Sequence, residues 1–327
     1  MSRKKILIYS IILITIFLFG LFLYNWIIPK HVDNTVYIRV NKGESLDTVL
    51  SKLDKEGIEF SLFFTKLFYK VFPKQINAGD YYFKENFNLI KLSNILKKGF
   101  FNGIKITIPE GFRYKEIKER LYRKGLINKE KFEKLFKDKK FINSLGIKSE
   151  TLEGYLFPET YYFVKENSEK EIIKRMYNLL LEKLKANNLL SEIENSKYNL
   201  QEILTIASLV EWEAKIDDER KKIAQVFIKR LEIYKPLESC ASIEYALNKH
   251  KKKLFKRDLE VESPYNTYKN FGLPPTPINN PGIKSINAVI NPADTDYLYF
   301  VSKNDGTHVF NESYDKHLEA KRKYQSW

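Results

Sequence analysis

The 327-residue sequence predicts an α+β protein with one N-terminal membrane helix, a small α/β subdomain and a larger mixed α+β domain. Three features carry that prediction. An uncharged apolar run opens the chain. A strand–turn–helix pattern then occurs twice before residue 127. Beyond residue 255, helical periodicity gives way to Pro/Gly/Asn turns around short β-type runs.

The run Ile6–Ile28 carries no charge and is long enough to cross a bilayer core of about 30 Å. Arg3, Lys4 and Lys5 precede it, which orients the tail toward the cytoplasm, and Tyr24 and Trp26 stand where interfacial aromatics are expected. A cleaved signal peptide is the competing reading, but the run exceeds a usual apolar core and Tyr24–Lys30 offers no small-x-small cleavage site. Residues 1–30 therefore read as a retained single-pass anchor in a bacterial cytoplasmic membrane, with the N-terminus cytoplasmic and the remainder extracytoplasmic.

Val36–Ile58 and Ile104–Leu126 align without a gap. Val36, Ile38 and Val40, matched by Ile104, Ile106 and Ile108, alternate with polar neighbours as in half-buried strands. Gly43 and Gly111 end the strands. Val49 and Leu53, like Ile117 and Leu121, share a helix face, and Gly57 and Gly125 stop the helices. Strand–Gly–helix is also a common unit in its own right. A helix Leu62–Val71, a strand Gly79–Phe83 and a helix Leu89–Lys98 are expected between the copies. The first of these units resembles LysM modules, which bind N-acetylglucosamine-containing glycans, and residues 31–103 are assigned to such a subdomain.

Residues 104–327 form the larger domain. Residues 113–124, 129–139, 168–187 and 200–231 show helical apolar spacing. The turn-rich Gly272–Gly282 follows. Next come a strand Tyr297–Ser302, an Asn304-Asp305-Gly306 hairpin turn, a strand Thr307–Phe310 and a polar helix Tyr314–Tyr324.

Composition removes several function classes. A single cysteine, Cys240, excludes an intrachain disulfide and multi-cysteine metal sites, and it reads as a small buried residue rather than a nucleophile. The four histidines lack metal-ligand spacing, no Gly-rich phosphate loop occurs, and no cofactor is expected. The net charge of +15 favours a polyanion, and four of those charges lie in residues 1–30. An extracytoplasmic location argues against nucleic acid as the partner, leaving anionic lipid or an acidic wall polymer.

Chemistry concentrates in Ile203–Leu231. An apolar run covers most helix faces, and Glu211 and Glu213 follow it at once. A carboxyl desolvated there would have a raised pKa, as a general acid for glycosidic cleavage requires. Periodicity does not separate the two acids, and a helix leaving the core would equally pair them with Lys215 or Arg220 in solvent. Leu152–Tyr161, with Glu153, Tyr155 and Glu159, suits either a sugar-stacking cleft or an aromatic core turn. Ser263–Tyr268, with Tyr265, Asn266 and Tyr268, suits sugar hydroxyls or turn formation. Asp217, Asp218 and Glu219 read as a solvated face, and His250–Arg257 as an exposed basic loop.

Ile108–Phe112 (IPEGF), LEGYLFPETYYF, IASLVEWEA, ESCASIEYAL, SPYNTY, GLPPTPINNPG and NPADTDYLYFV occur in that order. In this the chain resembles the endolytic murein transglycosylase (YceG-like) family over essentially its whole length. The resemblance implies that the first Glu of the A-S-[IL]-V-E-x-E pattern, here Glu211, is the catalytic acid/base, with Glu213 as the second. It matches Pro158–Tyr161 and Tyr265–Tyr268 to family elements. Where the family commonly carries Gln-Thr/Ser-Asp or Gln-Ser-Cys-like residues, this chain has Glu238-Ser239-Cys240, a departure that assigns Glu238 no role and leaves Glu211 untouched.

The resemblance further implies cleavage of the bond between N-acetylmuramic acid and N-acetylglucosamine within nascent peptidoglycan strands. One carboxyl would serve both proton transfers, leaving 1,6-anhydromuramic ends and terminating strand elongation. Peptidoglycan synthases are the expected protein partners. The reading from a different class is a non-enzymatic, membrane-anchored wall-binding scaffold, which a non-acid at position 211 would have favoured.

Overall fold

The computed structural model describes residues 3–32, 36–41, 43–83, 85–98, 104–165, 167–249, 251 and 254–324. The chain divides into two compact units, Met1–Gly103 and Ile104–Trp327.

In the first unit the apolar run forms α1 (Arg3–Ile27), followed by β1 (Val36–Val40), α2 (Leu46–Lys55), α3 (Leu62–Val71), β2 (Gly79–Phe83) and α4 (Leu89–Lys98). β1 and β2 pair antiparallel, Val36 opposite Phe83 and Val40 opposite Gly79. Their inward residues close with Val49, Leu53, Phe68, Leu92 and Leu96 over a separate core. Several α1 side chains lie outside the described residues, and among the described residues no helix is long and apolar enough to cross a membrane. The interfacial role expected of Trp26 is corrected. Its ring is buried, meets Phe68 edge-on at 4.7 Å and Phe72 at 5.6 Å, and its indole N–H donates to the Phe64 carbonyl at 3.3 Å. The last turn of α1 is thus part of this core.

The second unit begins with β3 (Ile104–Thr107), α5 (Tyr114–Arg123), α6 (Lys129–Phe136) and α7 (Lys139–Ser144). The helix expected over 129–139 ends at Phe136 and a new one starts, because Asp138 caps the amides of Lys140 and Phe141. β4 (Thr160–Phe163), inside the segment read as an aromatic turn or cleft, pairs antiparallel with β3. Then come α8 (Glu169–Ala186), α9 (Leu189–Glu194), α10 (Leu200–Glu213), α11 (Asp217–Glu232), α12 (Cys240–Ala246) and α13 (Ile283–Ile290). The hairpin β5 (Tyr299–Ser302) and β6 (His308–Asn311) precedes α14 (Tyr314–Tyr324).

The single helix expected over 200–231 is two. Ala214 and Ile216 are extended, and Asp217, Asp218 and Glu219 occupy the first turn of α11, where carboxylates favour a new helix N-terminus. The break turns α11 back so that both α10 and α11 pack on α13. α13 itself lies in the region read only as turns and short runs.

Candidate active site

α10 starts from a capping box of Asn199 and Glu202, and Ile203 through Val210 are all buried, which fixes the helix axially and rotationally. Its last turn projects Glu211 toward α11 and the start of α13. There the carboxylate meets only donors. Oε2 accepts from the Gly282 amide at 2.9 Å and the Ser285 hydroxyl at 2.8 Å, and Oε1 accepts from Arg220 Nη1 at 3.1 Å. Arg220 also donates to Ser285 Oγ, and its Nε reaches Asp217 at 3.0 Å. Asp217 in turn pairs with Lys284, and the two cations hold its carboxyl below the usual range. Arg220 is therefore the partner of Glu211, yet the pair is not in solvent, since the two side chains are 11% and 6% exposed.

The Gly282 amide reaches Glu211 because the segment before α13 is strapped on two sides. On one side the Ser208 hydroxyl accepts from the Ile278 amide at 3.0 Å, and the Ser208 carbonyl accepts from Asn279 Nδ2 at 2.8 Å. On the other, Asn280 exchanges bonds with the IPEGF loop. It accepts from the Gly111 amide and donates twice to the Phe112 carbonyl, each at 2.9 Å. Its side-chain oxygen also accepts from the Leu156 amide at 2.8 Å. Three segments distant in sequence thus converge on Glu211: IPEGF, α10 and the start of α13.

The chain matches the model of the YceG-like family over residues 38–323. It is 35% identical over 320 residues to a Bacillus subtilis protein named endolytic murein transglycosylase, a match that covers 91% of this chain and 87% of that protein. A Streptococcus pneumoniae protein of the same name is 30% identical over 312 residues; the match covers 84% of this chain but 56% of the pneumococcal protein. The chain belongs to the YceG-like family. A crystal structure of a yceG-like protein from Listeria monocytogenes superposes with a TM-score of 0.60 at 29% identity, covering 88% of this chain and 99% of that one.

In this YceG-like chain Glu213 faces away from Glu211, since residues two apart on a helix differ by about 200°. It accepts from Ser239 Oγ at 3.1 Å, just ahead of α12, and burial pushes its carboxyl up. Glu153 is fully buried. Its Oε1 accepts from the Tyr114 amide at 2.9 Å and Asn280 Nδ2 at 3.0 Å, its Oε2 faces the Tyr245 hydroxyl at 3.4 Å, and burial pushes its pKa up to about 8. Its place is under the IPEGF loop, as a brace. Tyr155 is 2% exposed in the core, leaving no ring face for a sugar. Glu159 pairs with Lys183 of α8 at 2.8 Å.

Asn266 is buried and bonds the Leu259 and Val261 carbonyls, each at 2.8 Å, so it shapes its own loop. Tyr265 bonds Thr276 Oγ1 at 2.8 Å and packs on Tyr245 at 4.7 Å between centroids. Tyr268 reaches Cys240 Sγ at 3.4 Å, and Cys240, expected to be buried, is exposed at the start of α12. Glu238 pairs with Arg230 of α11 at 2.9 Å. The solvated face expected of 217–219 is corrected at Glu219, which is buried and binds His308 through its amide at 2.9 Å and its ring Nδ1 at 2.7 Å. In the basic segment, Lys251 pairs with Asp258 at 2.6 Å, while His250, Lys252 and Lys253 lie outside the described residues.

Four groups were not singled out from sequence: Glu110, Arg113, Gly282 and Ser285. Arg113 lies between the rings of Trp212 and Tyr245, at 5.0 and 5.4 Å. A Cβ on Gly282 would fall 1.8 Å from Glu110 Oε1. The signal available was the IPEGF run for Glu110 and the NNPG run for Gly282; Arg113 directly follows the first run and Ser285 lies three residues past the second. Among the described residues no group of three or more His, Cys, Asp or Glu could hold a metal ion.

Proposed function

We propose that this chain is an endolytic lytic transglycosylase of peptidoglycan with Glu211 as the carboxyl working at the scissile bond. The observation that carries the reading is the seat of Glu211. It is a nearly buried carboxylate, held by one cation, one amide and one hydroxyl, at the point where IPEGF, α10 and the start of α13 meet. The relatives named endolytic murein transglycosylase support the same reaction.

The bond broken joins C1 of N-acetylmuramic acid to the oxygen of N-acetylglucosamine. The leaving oxygen gains a proton as the muramic C6 oxygen closes on C1 and loses its own, so no water is consumed. An intramolecular nucleophile already tethered to the reacting sugar has a high effective concentration and needs no activation by metal or nucleophilic side chain. Proton transfer beside C1 is what the protein must supply.

The finer assignments belong to the same proposal. The uncharged run in α1 is the membrane anchor, which places the larger unit beside strands as a synthase extends them and makes strand termination its role. The β1–α2–α3–β2 order supports a LysM-like glycan-binding role for residues 31–103, with 104–327 as the catalytic domain.

Mass spectrometry of purified glycan strands after digestion tests the reaction. Anhydromuramic ends are expected. Reducing muramic ends would indicate a hydrolase, and unchanged strands a binding scaffold; either result overturns the proposal.

A further inference from the structure

We propose that Glu110 is the second carboxyl of this site, donating the proton to the leaving oxygen while Glu211 accepts the C6 hydroxyl proton. The inference rests on the transglycosylase reading above and replaces its one-carboxyl cycle with a division of labour.

Geometry brings the pair together through Gly282. Its amide donates to Glu211 Oε2 at 2.9 Å, and a Cβ on it would fall 1.8 Å from Glu110 Oε1, 2.2 Å from Cδ and 2.9 Å from Cγ. With N–Cα and Cα–Cβ bonds near 1.5 Å, the two carboxyl groups lie within about 8 Å. A span of that order lets one sugar residue meet both groups, one at its leaving oxygen and the other at its C6 hydroxyl. From the opposite side, a Cβ on Gly111, the residue after Glu110, would sit 3.7 Å from Glu211 Cγ. No side chain at either glycine separates the two acids.

Their surroundings differ as a donor and an acceptor require. Every hydrogen-bond partner of Glu211 donates, so all are satisfied by its charged form. Glu110 is open to solvent, where a glycan can reach it. Desolvation, then the charge of Glu211, raises the Glu110 carboxyl; Asp217 adds to the rise, and Arg220 and Lys284 oppose it. A carboxyl pushed up beside one whose hydrogen-bond partners all donate is the arrangement of an acid next to a base. Both are needed on one side of the sugar, because the 1,6-anhydro bridge spans the β face from which the β-linked oxygen departs.

The step balances. The C1–O bond to N-acetylglucosamine breaks as Glu110 gives its proton to that oxygen. The C6 oxygen bonds to C1 and its proton passes to Glu211. Return of one proton from Glu211 to Glu110 restores the site, with no water or oxidant consumed.

Glu110→Gln, Glu110→Asp and Glu211→Gln, each in the full chain, are assayed on natural glycan strands and on a muramic-acid oligosaccharide bearing a 4-nitrophenyl aglycone. The nitrophenolate leaves without a proton. Glu110→Gln is expected to lose about 10²–10⁴-fold on natural strands, to keep near wild-type release of nitrophenolate, and to lose the basic limb of its pH profile. Glu110→Asp should fall between, and Glu211→Gln should fail on both substrates. Glu110→Gln at wild-type activity on strands, or equally impaired on both substrates while still folded by circular dichroism, overturns the proposal. If Glu211→Gln alone keeps activity, the role given to Glu211 fails and Glu110 stands as donor. Wild-type protein that leaves no anhydro ends overturns both.

Discussion

Glu211 and Arg220 are joined at 3.1 Å with both side chains almost out of water, one ending α10 and the other one turn into α11. The break between the helices is what allows the contact. In a continuous helix, residues nine apart differ by about 900°, half a turn beyond two full ones, and would face opposite sides. The extended Ala214 and Ile216 fold α11 back over the carboxylate.

Arg220→Met leaves Glu211 with two donors but no counter-ion. Stranding a buried charge commonly costs about 3–5 kcal/mol, and the remaining Gly282 and Ser285 bonds place this variant near 3 kcal/mol. Urea unfolding is expected to show that loss. A second substitution, Glu211→Leu, should recover much of it without restoring activity; if it recovers none, the two residues do not act as a pair.

Gly282→Ala places a methyl group where Glu110 Oε1 now lies. The backbone at Gly282, φ −77° and ψ 167°, suits alanine, so only the end of a flexible side chain must move. The melting temperature should change little. Displacing a reacting group by about 1 Å can cost on the order of 10²-fold, and anhydro-product formation should fall by that order. An unchanged rate would mean that the position of Glu110 does not matter.

Glu153 predicts a pH dependence of stability. Its folded pKa of about 8 lies above the ordinary carboxylate value of 4.5, so the folded state holds a proton that the unfolded state releases between these values. Stability from this group is highest below 4.5 and declines as pH rises toward 8, by at most about 1.4 kcal/mol per pH unit. In Glu153→Gln the amide oxygen keeps the Tyr114 and Asn280 bonds, and the amide nitrogen takes the place of Oε2 beside the Tyr245 hydroxyl, which can turn to accept from it. Its melting temperature should therefore gain on that of the wild type between pH 5 and 8. Parallel curves would show that Glu153 is charged in the folded protein.

Trp26 couples α1 to the first unit. Truncating a buried tryptophan costs about 3–5 kcal/mol, so Trp26→Ala should strongly destabilise Met1–Gly103, as should removal of residues 1–30. Native-state hydrogen exchange at Val49, Leu53 and Phe68 reads the effect directly, and unaltered protection there would contradict the packing.

Strands and helices whose apolar period decides their burial were legible in the sequence. β1 and α2, and their counterparts β3 and α5, fall on the predicted residues because Val36, Ile38, Val49 and Leu53, with Ile106, Ile117 and Leu121, mark one face each. Glu211 was legible as a candidate because a fully buried run ends beside it. What distinguishes it from Glu213 was not, since the difference lies in Gly282 and Ser285, over seventy residues away, and in a helix break that apolar spacing alone does not reveal. The clustered acids at 217–219 were the available sign of that break. β4 was missed because its strand character depends on β3, which lies more than fifty residues earlier.

Glu211 and Glu213 are separated most directly by substitution with glutamine. Glu211 sits where three segments meet and bonds Arg220 and Gly282, whereas Glu213 bonds Ser239 on the other side of α10. A glutamine at 211 can accept from Gly282 and Ser285 but cannot take up a proton at catalytic cost or balance Arg220. Activity should fall at least 10²–10⁴-fold on natural strands, and stability should fall as well, because the guanidinium then faces Asp217 alone among carboxylates. At 213 the charge is already disfavoured by burial, so the amide should be close to neutral for stability near pH 5 and become favourable as pH rises and the carboxyl must ionise. Its activity should drop by less than tenfold. Anhydro-product yield and melting temperature measured on both variants from pH 5 to 8 decide the matter: an inactive Glu213→Gln beside an active Glu211→Gln would move the chemistry to the Ser239 side of α10.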